Sequence, residues 1–311
     1  MNKVLVTGGT GMVASALKNY LPEATYMSSE EYNLTHPIST YLMVEYHKPE
    51  TIIHLAARVG GVRANMNYVG DFYSENIAIN NNILAAAKKY NVKKVVSLLS
   101  TCVYPDKVNY PLTEEQIHNG PPHSSNFGYA YAKRMLDVQS RAYRKQYGCN
   151  FITAVPNNLF GENDNFDLED SHVIPAMIRK IYEARQNDKD VVLWGDGSPL
   201  REFTYSQDLA KILLFLLEKY DGDHPINIGN TFEISIKEVA VLLAEILEFK
   251  GNILWDTTKP SGQHRKPSSN KKLIDLGWKN QNYTSLKSAL KKTCKWFIIN
   301  YPQVRGMREQ K

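Results

Sequence analysis

The chain has 311 residues, 43% hydrophobic and 22% charged, with a mean hydropathy of −0.40. That balance suits one large α/β domain or a large domain with a smaller partner, and it excludes a disulfide-stapled miniprotein or a disordered chain. The net charge of +5 is mild, and its excess gathers late, at Lys271, Lys272, Lys279, Lys287, Lys291, Lys292 and Lys295. Without interleaved aromatics these lysines read as a solvated helix face, so no nucleic-acid partner is expected.

The longest apolar run, 212–217, reads as a core helix and falls far short of the roughly 18 residues a membrane span requires, so no membrane association is expected. The first residues lack the charged, apolar and small-residue sections of a secretory signal. Three cysteines, Cys102, Cys149 and Cys294, form neither a zinc spacing nor a disulfide framework. A cytoplasmic protein without a metal site is therefore expected.

In chain order, β-type runs alternate with helical patterns: a strand over 4–7, a helix from Met12, a weak strand over 24–27, a helix over 38–47 and a strand over 51–56. A helix over 71–90, an apolar strand over 94–99, a helix over 129–147 and a strand over 151–155 follow. Parallel strands need crossover helices, so this repetition predicts an α/β fold with a Rossmann-type doubly wound parallel sheet. Its ligands belong beyond the carboxyl ends of the strands. After Val155 come a polar loop over 161–171, a helix over 173–186 and short β runs over 191–194 and 226–228. Two late helices, 236–247 and 286–300, flank a Pro-, Gly- and Ser-rich segment over 259–269.

The opening stretch 4–14 runs from a strand through Thr7, Gly8, Gly9, Thr10 and Gly11 into a helix that begins Met12, Val13, Ala14. Glycines let the backbone approach a pyrophosphate, and the amides at the start of the helix favour its charge, so this is a dinucleotide-binding loop. Residues 1–160, with a returning segment near 204–230, then read as an NADP-binding Rossmann domain. Residues 161–203 and 231–311 read as a smaller α/β substrate-binding domain, with the cleft between the two. Ser28 and Ser29 stand after the second strand where a carboxylate that selects NAD is expected, which favours NADPH, although no arginine is there to clasp a 2′-phosphate.

Tyr129 and Lys133 lie one helical turn apart on one face. A lysine ammonium beside a phenol favours the phenolate, so Tyr129 is expected to have a lowered pKa and to exchange protons near neutrality. Ser100, at the carboxyl end of the fourth strand, is placed to help hold a substrate carbonyl oxygen.

These features sit among further stretches: 57–66, Ser100 to Pro105, Pro156 to Gly161, 164–166, 171–176, Trp194-Gly195 and Arg201-Glu202-Phe203. In that order and spacing the chain resembles the extended short-chain dehydrogenase/reductase family, in particular its nucleotide-sugar epimerase/reductases, over nearly its whole length. The resemblance implies NADPH-dependent conversion of GDP-4-keto-6-deoxy-D-mannose to GDP-L-fucose, by 3,5-epimerisation and 4-keto reduction in one site. Another GDP-4-keto sugar, a deoxyhexose or a heptose, and a non-catalytic NADP-binding protein are the alternatives. A nucleotide-sugar dehydratase fits less well, because Thr101 and Cys102 follow the serine where that chemistry places an acid pair.

By the same resemblance Ser100, Tyr129 and Lys133 are the reductase triad, with Cys102 as base and His172 as acid of the epimerisation. It also implies cofactor contacts from Gly8, Gly9, Thr10, Gly11, Met12, Val13, Ala14, Ser29, Leu98, Leu99, Ser100, Thr101, Lys133, Pro156, Asn157, Asn158, Leu159 and His172. Lys180, Trp194 and Arg201 are implied to bind the GDP-sugar, and a homodimer is implied. Residues 256–262 resemble the family, and Ser268-Ser269 stand where many relatives carry a carboxylate.

Overall fold

The computed structural model describes residues 3–259 and 264–307, so Pro260, Ser261 and Gly262 of the late Pro-, Gly- and Ser-rich segment lie outside the described residues. The first half runs β1 (Val4–Thr7), α1 (Met12–Leu17), β2 (Thr25–Met27), α2 (Pro37–His47), β3 (Thr51–His54), α3 (Val62–Asn67), α4 (Val69–Lys89), β4 (Lys94–Leu98), α5 (Phe127–Tyr147) and β5 (Asn150–Pro156). Then come β6 (Asn158–Phe160), α6 (Val173–Gln186), β7 (Val191–Trp194), β8 (Leu200–Tyr205), α7 (Ser206–Lys219) and β9 (Ile226–Ile228). The chain closes with β10 (Glu233–Ser235), α8 (Ile236–Ile246), β11 (Ile253–Asp256), α9 (Lys271–Asp275) and α10 (Leu286–Asn300).

Six parallel strands form the main sheet in the order β2-β1-β3-β4-β5-β9. Alternate side chains of its central strands enter opposite cores, which is why these strands read as unbroken apolar runs. Leu5, Ile52, Val95 and Phe151 pack with Met43, Val44, Ile83, Leu84 and Leu136 on one side. Val6, Ile53, Val96 and Ile152 pack with Leu17, Leu209, Ile212, Leu213 and Leu216 on the other. The apolar run over 212–217 is thus the buried stripe of α7. β1 has β2 on one side and β3 on the other, so strand order reverses there and opens a crevice at the carboxyl ends.

A separate core lies around the three-stranded sheet β10-β8-β6 and the pair β11-β7. Ile174, Ile178 and Ile181 of α6, Val239 and Leu243 of α8, and Leu290 and Phe297 of α10 fill it. The lysines of α10 stay on the outside: Lys287, Lys291, Lys292 and Lys295 are exposed.

The structure shifts several expected boundaries. The strand expected over 51–56 ends at His54, because the amides of Leu55 and Ala56 both donate to Thr7 Oγ1 (3.2 Å each) instead of to a neighbouring strand. The helix expected from Tyr129 begins at Phe127, continuing a short turn over Ser124–Asn126. β8 was not legible as a strand because Arg201 and Glu202 break its apolar pattern, although Glu202 is buried.

Candidate active site

A cleft of about 560 Å³ opens at the carboxyl ends of β1 to β5. Its wall contains the expected cofactor residues Gly8, Thr10, Gly11, Met12, Val13, Ala14, Ser29, Leu98, Leu99, Ser100, Thr101, Lys133, Pro156, Asn157, Asn158, Leu159 and His172. Gly9 is not in that wall. Its amide donates to Met27 O (2.8 Å), and a Cβ there would sit 2.8 Å from the Met27 nitrogen, so its lack of a side chain lets the loop lie against β2. Gly8 takes φ +71°, a conformation that costs glycine little, and a Cβ would meet the Ala56 backbone at 3.0 Å. The first amides of a helix have no partner within it. The turn therefore fits a pyrophosphate, and the cleft is roomy enough for a dinucleotide.

Thr7 Oγ1 receives those two amides and so donates to His54 Nδ1 (2.8 Å). His54 Nε2 then carries the proton towards Asn80 Oδ1 (3.2 Å), and Asn80 Nδ2 donates to Ala132 O on α5 (3.4 Å). Burial, with the facing Lys133 charge, holds His54 neutral by pushing its pKa down to about 3. The chain of bonds ties the end of β1 to the turn of α5 that bears Tyr129 and Lys133.

Ser100, Tyr129 and Lys133 all line the wall of this cleft. Lys133 is buried, donates to Leu98 O (2.8 Å) and lies 5.8 Å from the centre of the Tyr129 ring. The expected lowering of the phenol's pKa is not borne out. Burial pushes Tyr129 well above its ordinary value, with the Cys102 thiol adding to the rise, and pushes Lys133 down to about 8. Desolvation outweighs the ammonium, which is directed to the Leu98 carbonyl. Tyr129 is held as a neutral phenol, a proton donor.

Cys102 follows the end of β4 in a short turn capped by Ser100 Oγ, and only 8% of it is accessible. Burial pushes its thiol up, while Ser100 and the charges of Lys266, Lys133 and Arg134 pull it down. His172 caps α6 and opens onto the solvent of the cleft, but the walls around it push its pKa down. The resting pair is thus thiol and neutral imidazole, opposite to the implied order of base and acid, because burial disfavours the charged form of each.

Lys266 was missed in the sequence. It faces both Cys102 and Arg201, and burial lowers its pKa. The only signal was the Arg265-Lys266-Pro267 run within a loop-forming segment. Asp164, buried in the cleft wall with Arg305 nearby, was also missed; burial pushes its carboxyl up to about 7.

Cys102, Lys180, Trp194 and Arg201 are not among the residues of the cleft wall. Lys180 lies 5.3 Å and Lys259 6.0 Å from the centre of the exposed Trp194 ring, a cationic and aromatic patch at the end of β7. Arg201 donates to Leu200 O (2.7 Å) beside Lys266. Ser268 N and Oγ donate to the two carboxylate oxygens of Glu202 on β8, at 2.8 and 2.5 Å.

A family model described as the NAD dependent epimerase/dehydratase family matches residues 4–229. The chain is 47% identical to a GDP-L-fucose synthase of Dictyostelium discoideum, over 97% of this chain and 97% of the relative. It is 38% identical to a GDP-L-colitose synthase of Yersinia pseudotuberculosis, over 95% of this chain and 98% of that one. The crystal structure of a GDP-L-fucose synthetase from Naegleria fowleri bound to NADP is 41% identical and superposes with a TM-score of 0.92, covering 98% and 95% of the two chains.

Proposed function

The chain belongs to the NAD dependent epimerase/dehydratase family, and from that premise we propose that it converts GDP-4-keto-6-deoxy-D-mannose to GDP-L-fucose, inverting carbons 3 and 5 and reducing the 4-keto group with NADPH in one site. The observation that carries this reading is the placement of Ser100, Tyr129 and Lys133 in one cleft wall, with Lys133 bonded to Leu98 O at the end of β4 and 5.8 Å from the Tyr129 ring, and with Cys102 in the turn that Ser100 caps. When bound, NADPH supplies the hydride that reduces carbon 4.

Tyr129 and Ser100 hold the 4-keto oxygen, and the phenol gives it a proton as the alcohol forms. The same hydrogen bonds stabilise the enolate formed when a proton leaves carbon 3 or carbon 5, so one set of donors serves epimerisation and reduction. Cys102 and His172 exchange those protons from opposite faces. Lys266, Lys133 and Arg134 offset the cost of a thiolate in this buried place. Lys180, Trp194 and Arg201 hold the GDP portion, with cations for the diphosphate and an indole for stacking.

The reading is tested by giving the purified protein GDP-4-keto-6-deoxy-D-mannose and NADPH. One NADPH consumed per GDP-L-fucose formed is expected, and reduction without inversion, or inversion without reduction, would refute it.

Lys133→Met is expected to weaken NADPH binding and lower turnover together, because the cleft wall loses the ammonium that would help hold the cofactor and that lies 5.8 Å from the Tyr129 ring. The proton on Lys133 is lost as pH rises through about 8, so turnover of the parent enzyme should fall over that range, and this limb should vanish in the variant. Binding and pH profiles like those of the parent would make Lys133 a packing residue.

We further propose a homodimer through α4 and α5. Tyr73, Phe127, Tyr131, Met135 and Val138 are exposed, and the first four surround one apolar recess with Val69 and Gly70. A contiguous apolar patch on a neighbouring helix pair suits a self-complementary two-fold contact. Sedimentation should give a dimer, and Tyr131→Glu with Met135→Glu should give monomers; a monomeric parent would overturn this. No helix among the described residues is long and apolar enough to cross a membrane. The free thiols of Cys102, Cys149 and Cys294 suit a reducing compartment, so we place the reaction in the cytoplasm.

A further inference from the structure

The loop between β6 and α6 enters the cleft wall with Asp164, Asn165 and Ser171 and ends at His172. Asp164 is only 6% exposed. Its Oδ1 accepts the Asn165 amide (2.7 Å), whereas Oδ2 is buried and has no hydrogen-bond partner among the described residues. Ser171 Oγ, beside His172, is a second buried oxygen without one. A buried polar atom left without a partner is costly, so two of them in one stretch of cleft wall mark a surface that meets a polar ligand. Burial pushes the Asp164 carboxyl up to about 7, against the pull of the Asn165 amide and of the Arg305 charge.

The chain after α10 braces this loop. Phe166 N donates to Arg305 O (2.9 Å), and Arg179 of α6 donates to Phe166 O (3.0 Å) and to Gly306 O (3.4 Å). Gly306 takes φ +88°, and a Cβ there would collide with Asn165 Oδ1 and the Asp167 nitrogen, so only glycine fits against the loop. Asn165 Oδ1 accepts Asp167 N (3.1 Å), and Ser171 N donates to Asp167 O (3.1 Å), which carries the bracing to the residue before His172. Arg305 itself lines the cleft and faces Asp164.

The loop shares its cleft with Ser100 and Tyr129 and leads through His172 into α6, which carries Lys180. It therefore joins the groups assigned to the ketone with those assigned to the diphosphate, the stretch that a hexose ring spans. We propose that Asp164 is a further binding residue for the GDP-sugar, its Oδ2 accepting a hydroxyl of the hexose, and that segment 304–307 holds it in place through Arg305 and Gly306. The inference rests on the reading of this cleft as a GDP-4-keto-sugar site.

Affinities of the full chain for GDP-L-fucose, for GDP and for NADPH, measured by calorimetry, test it. Asp164→Asn keeps the volume of the side chain and an oxygen for the Asn165 amide, and Asp164→Ala removes the whole group. Both should weaken GDP-L-fucose by about tenfold or more, the worth of a hydrogen bond to a charged group, and leave GDP and NADPH within about twofold of the parent. Gly306→Ala leaves the carboxyl in the chain but forces segment 304–307 off the loop, and it should reproduce the selective loss of GDP-L-fucose.

An unchanged affinity for GDP-L-fucose in the Asp164 variants, or an equal loss for GDP, would overturn the inference with the substrate reading intact. A loss confined to NADPH would give the carboxyl to the cofactor and overturn it as well. A Gly306→Ala protein that binds GDP-L-fucose as the parent does would overturn the part assigned to segment 304–307. A parent that binds neither GDP nor GDP-L-fucose would overturn the substrate reading and the inference together.

Discussion

Tyr129→Phe is expected to lower reduction of the 4-keto group by about 10²–10⁴-fold, the usual worth of a positioned general acid, and to leave NADPH affinity close to that of the parent. Phenylalanine keeps the ring that packs edge-on against Phe72, with centroids 6.2 Å apart, and that lies 5.8 Å from the Lys133 ammonium. Only the hydroxyl is removed. Burial holds that hydroxyl protonated, so the group lost is the donor that the forming alkoxide needs, worth roughly 3–5 kcal/mol of barrier at those rates. Solvent deuterium uptake at carbons 3 and 5 should slow too, because the enolate oxygen loses the same donor. Loss of NADPH absorbance in a single turnover, with cofactor affinity measured separately, checks this. Unchanged turnover would remove Tyr129 from the chemistry.

The contrast between what could and could not be read from the sequence follows the range of the interactions involved. The dinucleotide loop was legible because its parts are consecutive: a strand, glycines at tight places and a helix, with Gly8 at φ +71° where a side chain would be strained. The central strands were legible because burial on both faces leaves runs such as Val4–Thr7 and Lys94–Leu98 with apolar centres. β8 escaped because Glu202, buried and bonded to Ser268 and Asn157, reads as a surface charge.

Lys266 escaped for the same reason. Its partners, Cys102 and Arg201, are supplied by distant parts of the chain, and no spacing rule joins them. The electrostatics of Tyr129 were misread because an i, i+4 pair fixes which side chains are neighbours but says nothing about the depth of burial, and here depth wins. Cys102 and His172 lie 70 positions apart, so pairing them drew on resemblance and not on pattern.

Cys102→Ser is expected to reduce deuterium uptake at carbons 3 and 5 by at least about 10²-fold, with hydride transfer to carbon 4 much less affected. A hydroxyl fits the buried space of the thiol, so packing is preserved, but an alkoxide is far harder to form than a thiolate even beside Lys266, Lys133 and Arg134. The variant should therefore release GDP-sugar reduced at carbon 4 but not inverted at carbons 3 and 5, which nuclear magnetic resonance of the product distinguishes from GDP-L-fucose.

The pH dependence supplies a second signature of the thiol. Burial raises the thiol pKa, so the reactive thiolate grows as pH rises, and exchange in the parent enzyme should climb with pH above neutrality. In the serine variant that rise should be absent. His172, its pKa lowered, stays neutral throughout this range and contributes no step to the profile. Uptake equal to the parent's at both carbons would transfer the role of base to the neutral imidazole, the group that the resting protonation states already favour, and would leave Cys102 as a buried thiol without a part in the epimerisation.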